Sequence, residues 1–564
     1  MALILGIIPR IIALGATILS AVGLNYLFTP AWTLKSGGLW LFFLMVFILG
    51  AIFFAIAEKI EDDFGDHRQG YYIGTFIFGG LAILALLSMI IGAATGAKRF
   101  HAEEYRDRIE VQTAEFNEDI PKITSADTPV IVDVETAKKL GDRVIATGKI
   151  KNLSWYDVDS EYNLIKYQGD YYRISELNYG SFTKYRDAKY EGIPGYIIVN
   201  VFTQEAKYIE LDEPIRYSES AYGAHDLKRH LRNQFPDYMF YSSYFEIDDE
   251  GTPYYITAPY KHTIGLFGGD IIDSFIITNA ATGESKEYKT EYLPEWVDHA
   301  FGLTYLMGCI SDNQKYVNGY KNTTVFGSKT GVNYLTYNYG ADDYNTAITA
   351  DGDIVFYTGV TPANAAETNI GFIYASPRTG KVNYYECPGA EETSAMAAAE
   401  GLVEDFGYVS NFPVVVNIEG METYLMLMKD NAGLIQRYAL CNIRDYSKVV
   451  QAKTFKEAYA LYLKEMNNES ASEVLPEDSE MPDISDKVND SEVLKTEGAI
   501  NNLYEAQIDG CTYYYFTIVG NNNLYMSSIK NSNKQVLLKE GTKITIEYTA
   551  SSEEGVFLVK KIQF

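Results

Sequence analysis

Three apolar runs, Leu3 to Phe28, Leu39 to Ala57 and Tyr71 to Ala97, limit what this chain can fold into more than any other feature. Each is close to the roughly 20 residues that cross a bilayer as a helix. Backbone facing lipid must satisfy its own N–H and C=O groups, which leaves a helix or a closed barrel. Residues 1–97 therefore predict a three-helix transmembrane region. The first run is long for a signal peptide and has no small-residue cleavage site before a polar segment, so it reads as a retained helix. Gly79, Gly80, Gly92 and Gly96, the last two in Gly-x-x-x-Gly spacing, suit close helix packing and a homo-oligomer. Arg10 is placed to snorkel to the interface, and the spans as drawn hold no acidic partner for it.

Three crossings put the two chain ends on opposite sides. The side of the soluble part carries Lys35, Lys98, Arg99, Arg106 and Arg108, and the other side Arg10, Lys59 and Arg68. That tally by itself favours a cytoplasmic soluble part.

Beyond the third run the composition turns acidic, with 75 Asp and Glu against 47 Lys and Arg and a net charge of −28. Binding to nucleic acid rests on Lys and Arg neutralising phosphates, so this balance argues against a nucleic-acid partner, and none is expected. The chain has 47 tyrosines, a usage that suits half-buried rings on exposed sheets. Cys309, Cys387, Cys441 and Cys511 include no Cys-x-x-Cys, which argues against zinc and dithiol chemistry.

One segment recurs. Ile276 to Lys289 is an apolar run, an Asn279-Ala-Ala-Thr-Gly283 turn and an exposed strand, and so predicts a hairpin. Val199 to Leu211, Tyr374 to Cys387 and the degenerate Leu440 to Ser447 follow the same plan. Around these hairpins the order hairpin, helix, strand pair, hairpin, helix repeats, which predicts a duplicated α+β unit at 196–306 and 371–466. In the first unit the helix is Ala224 to Gln234, the strand pair turns at Asp248-Asp249-Glu250-Gly251, and a short helix lies near Pro294 to Leu306. In the second, Glu391 to Phe406 is the helix and Phe455 to Met466 closes the unit.

The remaining boundaries follow from composition. Residues 98–195 form a charged stalk lifting the domain off the membrane, a short helix closed by Gly141, and a hairpin at Gln168-Gly169-Asp170. The Tyr- and Asn-rich stretch 307–370 reads as a connecting insertion. Residues 467–497 are Ser-, Pro- and acid-rich and read as a disordered linker. The last part, 498–564, shows strands of a small five-stranded barrel of the OB type, without the basic groove that nucleic-acid binding requires.

No motif carries a reaction. His225 and His230 are five apart on one helix and read as a solvated face. The Asp248 turn lacks the alternating ligands of a calcium loop. Gly265-Leu-Phe-Gly-Gly-Asp270 leads into a strand, whereas phosphate cradling needs a helix amino terminus. Cys387 and Cys441, in matching hairpins, point to burial or a disulfide. No catalytic, cofactor-binding or metal residue is assigned, and no cofactor is expected. A hydrolase would need carboxylates such as Asp270 with Asp273, or Glu391 with Glu392, to converge in the fold.

The order helix, strand pair, hairpin, with Ile277-Thr-Asn-Ala-Ala-Thr-Gly-Glu284 and Tyr374-Ala-Ser-Pro-Arg-Thr-Gly-Lys381 at the turns, resembles the PepSY domain over residues 196 to 466. The second unit departs from it at its last hairpin, where Asp445-Tyr446 replace Thr-Gly. The whole chain also resembles uncharacterised membrane proteins of Gram-positive bacteria. The resemblance implies no catalytic residues. It implies instead a domain that binds or restrains a partner, such as a peptidase, outside the cytoplasm. The expectation is thus a non-catalytic binding or regulatory protein anchored in the cell membrane, with its large domain extracytoplasmic. An envelope hydrolase and a structural subunit of an oligomeric assembly are the alternatives.

Overall fold

Apolar side chains on every face leave a helix no stable place but lipid or a protein core. In the computed structural model, which describes residues 2–64, 72–125, 132–147, 153–336, 345–364, 368–467, 494–508, 511–528, 538–539, 541–550 and 556–563, the three runs form α1 (Ala2–Phe28), α2 (Gly37–Phe64) and α3 (Ile73–Thr95). All three are long and apolar enough to cross a membrane. At 1.5 Å per residue the 28 residues of α2 reach about 42 Å, past the hydrocarbon core. The extra length runs beyond Ala57 and supplies the acidic partners that the sequence spans lacked. Arg10 pairs with Glu61 at 2.8 Å. Glu58 accepts the Gly74 and Thr75 N–H groups, at 2.7 and 3.3 Å, and so satisfies orphan donors at the start of α3.

The glycines that let these helices approach are not the expected ones. A Cβ on Gly50 would meet the Phe78 ring at 2.6 Å and one on Gly74 would meet Phe54 at 2.1 Å, whereas those on Gly79 and Gly80 would meet nothing. Phe54 and Phe78 stack across this seam at 5.1 Å.

The chain divides into two units, Met1–Ser470 and Ala471–Phe564. In the first, α3 is followed by α4 (Ala102–Arg106), β1 (Val111–Ala114), α5 (Phe116–Asp119) and α6 (Val134–Thr147), and then by four largely antiparallel sheets. The first comprises β2 (Tyr156–Val158), β3 (Asn163–Tyr167), β4 (Asp170–Tyr179), β5 (Ile193–Asn200) and β6 (Ala206–Ile215), with α7 (Phe182–Ala188) between β4 and β5. The second follows α8 (Leu227–Gln234) and comprises β7 (Met239–Ile247), β8 (Pro253–Ile264), β9 (Gly268–Ile271), β10 (Ser274–Asn279) and β11 (Ser285–Lys289).

The third follows α9 (Leu303–Lys315) and α10 (Gly319–Asn322). It comprises β12 (Asn333–Leu335), β13 (Asn345–Ile348), β14 (Ile354–Pro362), β15 (Thr368–Ala375) and β16 (Val382–Ala390), with β1 added in parallel to β16. The fourth follows α11 (Glu392–Gly401). It comprises β17 (Val409–Ser410), β18 (Val414–Ile418), β19 (Met421–Lys429), β20 (Ile435–Asn442) and β21 (Val449–Ala452), and α12 (Phe455–Met466) packs on β20 and β21.

Each sheet ends in the recurrent hairpin, and its turn is built the same way. Asn279 accepts the Ala281 and Thr282 N–H groups through Oδ1, the Thr282 hydroxyl accepts the Glu284 N–H, and Gly283 takes the left-handed φ of +76° that closes the loop. Asn200 and Thr203 repeat these bonds in the first sheet. In the third, Ser376 takes the place of Asn, with Thr379 and Gly380 following. In the fourth, Asn442 accepts from Arg444 and Asp445, and one extra residue precedes the closing Asn442 N–H to Lys448 O bond.

Strand pairing redraws several expected boundaries. The hairpin Tyr196 to Leu211 pairs with β4, so it completes the sheet begun before residue 195 and does not open a unit at 196. Residues 307–370 are no insertion. They hold most of α9 and the central strand β14, which is paired on both sides and buried over most of its length because its Ile, Val, Phe and Tyr side chains enter three cores. The short helix placed at Pro294 to Leu306 starts only at Leu303. Before it, Ala300 and Phe301 donate to Pro377 O, and Glu246 accepts the Asp298 and His299 N–H groups, so this stretch is a buried crosslink between sheets. Gly141 does not close α6, which runs through it. A Cβ there would come within 2.0 Å of the Tyr162 hydroxyl, so the glycine serves close packing.

In the second unit β22 (Leu494–Ile508), β23 (Cys511–Ile518), β24 (Asn521–Ser528), β25 (Lys543–Ala550) and β26 (Val556–Gln563) close a barrel in the order β22-β23-β24-β26-β25. β24 and β26 run parallel, and Phe516, Tyr525, Ile544 and Ile546 fill the interior. Leu494 to Glu497, expected in the linker, are the first residues of β22. The rest of that linker call lies outside the described residues, apart from Asn467.

Candidate functional site

The first constructed feature is the seat of the β-sheets on the membrane helices. A helix end leaves carbonyls without partners, and at the end of α1 two arginines of α8 supply them. Arg229 donates to Tyr26 O at 2.6 Å and lies 4.0 Å over the Tyr26 ring. Arg232 donates to Thr29 O at 3.2 Å and also to the carbonyls of Phe235, Pro236 and Tyr238, and burial lowers its pKa to about 10. Trp32 N–H donates to Pro236 O, and Lys35 to His262 O at 2.6 Å.

The β8–β9 loop, Gly265-Leu-Phe-Gly, packs on α3 where Gly92 and Gly96 clear a path. A Cβ on Gly92 would strike the Phe267 ring at 2.2 Å, and one on Gly96 would lie 3.1 Å from Gly268 N. The Gly-x-x-x-Gly stripe read as a helix-packing face is therefore filled by this chain's own loop. Residues 98–109 are likewise no stalk. Lys98 and Arg108 both bind the buried Asp312, each at 2.6 Å, and the Tyr105 hydroxyl donates to Gly96 O and accepts from Gly269 N. These bonds hold the sheets directly against the end of α3.

The second feature is an apolar cleft of about 510 Å³ lined by Ile120 to Ile123, Tyr171, Phe202, Ala347 to Thr349, Tyr374 and Val414 to Val416. It lies along two outer strands. Among the described residues β13 has one strand partner, β14, and β18 has β19. On its other side β18 bridges in parallel to the segment through Lys122 and Ile123, whose Ile123 N–H donates to Asn417 O at 2.9 Å. Thr349 and Tyr374 also line an adjoining polar pocket of about 260 Å³ that holds Glu118, Asp119, Asp351 and Asp353. Asp353 accepts the Ser376 hydroxyl at 2.8 Å, which ties the third recurrent turn to this acidic end, and Asp119 accepts the Tyr385 hydroxyl at 2.9 Å. An apolar trough with strand edges along it and carboxylates at one end suits an extended segment bearing apolar side chains and a cation.

The third feature was not visible in sequence. Asp159, Glu161, Glu176 and Glu219 line a pocket of about 280 Å³ between the first two sheets. Glu176 is buried and accepts a hydrogen bond from Tyr255. Burial, reinforced by the carboxylates of Asp159, Glu219 and Glu161, pushes its pKa well above the usual carboxylate range. Burial and neighbouring carboxylates also raise Glu161 and Glu219. The signal in sequence was a single charge inside Ile174-Ser-Glu-Leu177, a run whose neighbours are all buried.

The carboxylate pairs proposed from sequence have separate duties. Burial raises the Asp270 carboxyl, but hydrogen bonds from His262 at 2.7 Å and Tyr241 at 2.6 Å outweigh it and lower its pKa. Asp273 pairs with Lys261 at the surface. Glu392 is buried and accepts from Tyr357, Asn369 and Thr336, while Glu391 accepts from the Thr393 hydroxyl.

The histidines are not a solvated face. Both rings lie against Tyr217, and His230 Nε2 bonds Gly283 O at 2.7 Å, so the pair braces the recurrent turn. Asp248 Oδ1 accepts the Glu250 and Thr252 N–H groups, which makes it a turn-former. Cys309, Cys387 and Cys441 are free and buried, and burial raises the last two thiols to about 12, so no disulfide joins them. Among the described residues no cluster of three His, Cys, Asp or Glu has metal-binding geometry.

Comparison of the chain with protein-family models and with curated proteins found no match in either case.

Proposed function

We propose that this chain is a membrane-anchored, non-catalytic binding protein of the bacterial cell envelope that holds an extended segment of a partner protein, such as a peptidase, in the cleft between β13 and β18. The observation that carries the reading is the cleft itself, largely apolar, bordered by β13 and β18 and adjoined by a pocket in which four carboxylates stand against Lys381. Two further features support the family expectations. The order α8, β7–β8, β10–β11 and its counterpart α11, β18–β19, β20–β21 suits PepSY-like units, and the barrel order with its parallel β24–β26 pair suits an OB-like fold. The large unit is assigned to the exterior by the PepSY resemblance.

The test is site-specific photo-crosslinking in cells, with the crosslinker at Ile348 in the cleft and at the exposed Tyr190 as reference. A discrete adduct at Ile348 whose partner peptide maps to one extended segment supports the reading. Adducts equal at both positions refute it.

A second reading, an envelope hydrolase, draws on the acid pocket, where carboxylates of raised pKa converge as general acid–base work requires. It predicts turnover of an envelope peptide or glycan that Glu219→Gln abolishes. Absence of turnover across such substrates eliminates it.

A further inference from the structure

The loop after α10 presents its two most apolar residues entirely to solvent. Val325 is 93% exposed and Phe326 100% exposed. They occupy the two corner positions of a turn closed by Gly327 N–H to Thr324 O at 2.9 Å, positions that Asn, Gly, Pro or Asp usually fill.

The loop is firmly built. Asn318 and Asn322 both donate to Thr330 O at 2.9 Å, Lys329 N–H returns to Asn322 O at 3.1 Å, and the Ser328 hydroxyl donates to Asn322 Oδ1. Gly327 is required, because a Cβ there would lie 2.3 Å from Asn322 O. Such a neck spends many hydrogen bonds on holding two apolar side chains away from every core, which marks a contact surface.

Position and charge identify what covers it. The loop leaves the end of α9 that is tied to the membrane exit of α3, since Asp312 binds Lys98 and Tyr316 packs with Ala102, Tyr105 and Ile264. Other exposed apolar residues, Trp32, Leu34 and Phe100, lie where the chain leaves or re-enters the membrane helices. From Asn313 to Ala341 the sequence has no Asp or Glu, although the chain as a whole carries 75, and it has Lys315, Lys321 and Lys329. An apolar tip flanked by lysines in an otherwise acidic protein complements an anionic lipid surface.

We propose that the Val325–Phe326 tip is a second bilayer contact, dipping into the headgroup layer of the membrane that α1–α3 cross while Lys321 and Lys329 meet anionic headgroups. The contact would fix the tilt of the sheets over the bilayer, beyond what the α3 seat does. It rests on the three helices being membrane spans and is independent of what the β13–β18 cleft binds.

The experiment places a spin label at Phe326→Cys, and separately at Val325→Cys, in the full chain in nanodiscs of one copy each, made with or without phosphatidylglycerol. Accessibility to oxygen and to a water-soluble nickel chelate reads depth. The proposal expects both labels to be at least fivefold less accessible to nickel than a label at the exposed Tyr446→Cys, with oxygen access raised. It also expects the shielding to weaken in neutral lipid or in the Lys321→Ser, Lys329→Ser double variant. Nickel access equal to that at Tyr446 in anionic discs overturns it. Shielding that appears only in discs carrying two copies assigns the tip to a second copy and overturns it as well.

Discussion

Gly265→Ala is the sharpest perturbation of the seat between the β-sheets and α3. A Cβ at position 265 would lie 2.6 Å from both the carbonyl carbon and the oxygen of Thr95, backbone atoms that cannot swing aside. Ordinary contact would require the loop to retreat by nearly 1 Å, and overpacking of this kind costs about 1–3 kcal/mol. The native φ of +59° adds about 1–2 kcal/mol for any residue with a Cβ. Together these give about 2–5 kcal/mol, and at about 1.4 kcal/mol per factor of ten the docked-to-undocked ratio falls roughly 30- to 4,000-fold. The cores of the four sheets are untouched, so the loss is local. Hydrogen–deuterium exchange in nanodiscs should show faster exchange in Ile264 to Asp270, including the Gly269 N–H that the Tyr105 hydroxyl now holds, and in Lys98 to Arg106. Gly223→Ala is the control, because Gly223 has φ +68° with nothing within 4 Å of its Cβ and isolates the backbone term. Equal exchange at the α3 contact in the two variants would refute the seat.

Other outcomes follow from the same contacts. Arg232→Met takes the guanidinium donor from the carbonyls of Thr29 and Tyr238, while Phe235 O and Pro236 O keep the Tyr238 and Trp32 N–H groups, and should destabilise the α1–α8 junction by about 2–6 kcal/mol, read as a lowered Tm. Arg232→Lys should recover only part of it, since one ammonium cannot match the guanidinium fork. Glu176 has a folded pKa raised above its unfolded value near 4.5, so the stability it contributes is complete below that pH and lost as pH rises through the folded pKa. Glu176→Gln should therefore match the native Tm at pH 4 and exceed it at pH 8, and an equal offset at both would contradict the buried-acid assignment. Tyr190→Cys, at a position 80% exposed in the turn between α7 and β5, should react with a membrane-impermeant maleimide on intact cells, and labelling only after lysis would reverse the assigned orientation.

How much could be read from the sequence depended on how local each signal is. The spans were legible because length and apolarity are local properties, and the recurrent turns because side chains within the turn build each of them, with a left-handed residue at Gln204, Gly283 and Gly380 in the first three. Pairing is not local. Nothing near Tyr196 to Leu211 says that its hydrogen bonds run back to β4, and a Tyr- and Asn-rich stretch such as 307–370 has loop-like composition while β14 lies buried within it. Gly92 and Gly96 were read as a helix seam because the pattern records only that something approaches closely, and that something proved to be Phe267 and Gly268. The acid pocket draws on Asp159, Glu161, Glu176 and Glu219, which only the meeting of two sheets brings together.

The central claim, that the β13–β18 cleft takes an extended apolar segment with a cation at its acidic end, is tested most directly by peptide binding. Fluorescence anisotropy with the full chain in nanodiscs would compare peptides of alternating apolar residues ending in Arg with the same peptides ending in Asp. The account predicts saturable binding of the Arg series, at least tenfold weaker for the Asp series, and a comparable loss on Ile348→Asp or Asp353→Asn. Binding of both series with equal affinity, or binding that Ile348→Asp leaves unchanged, would contradict it.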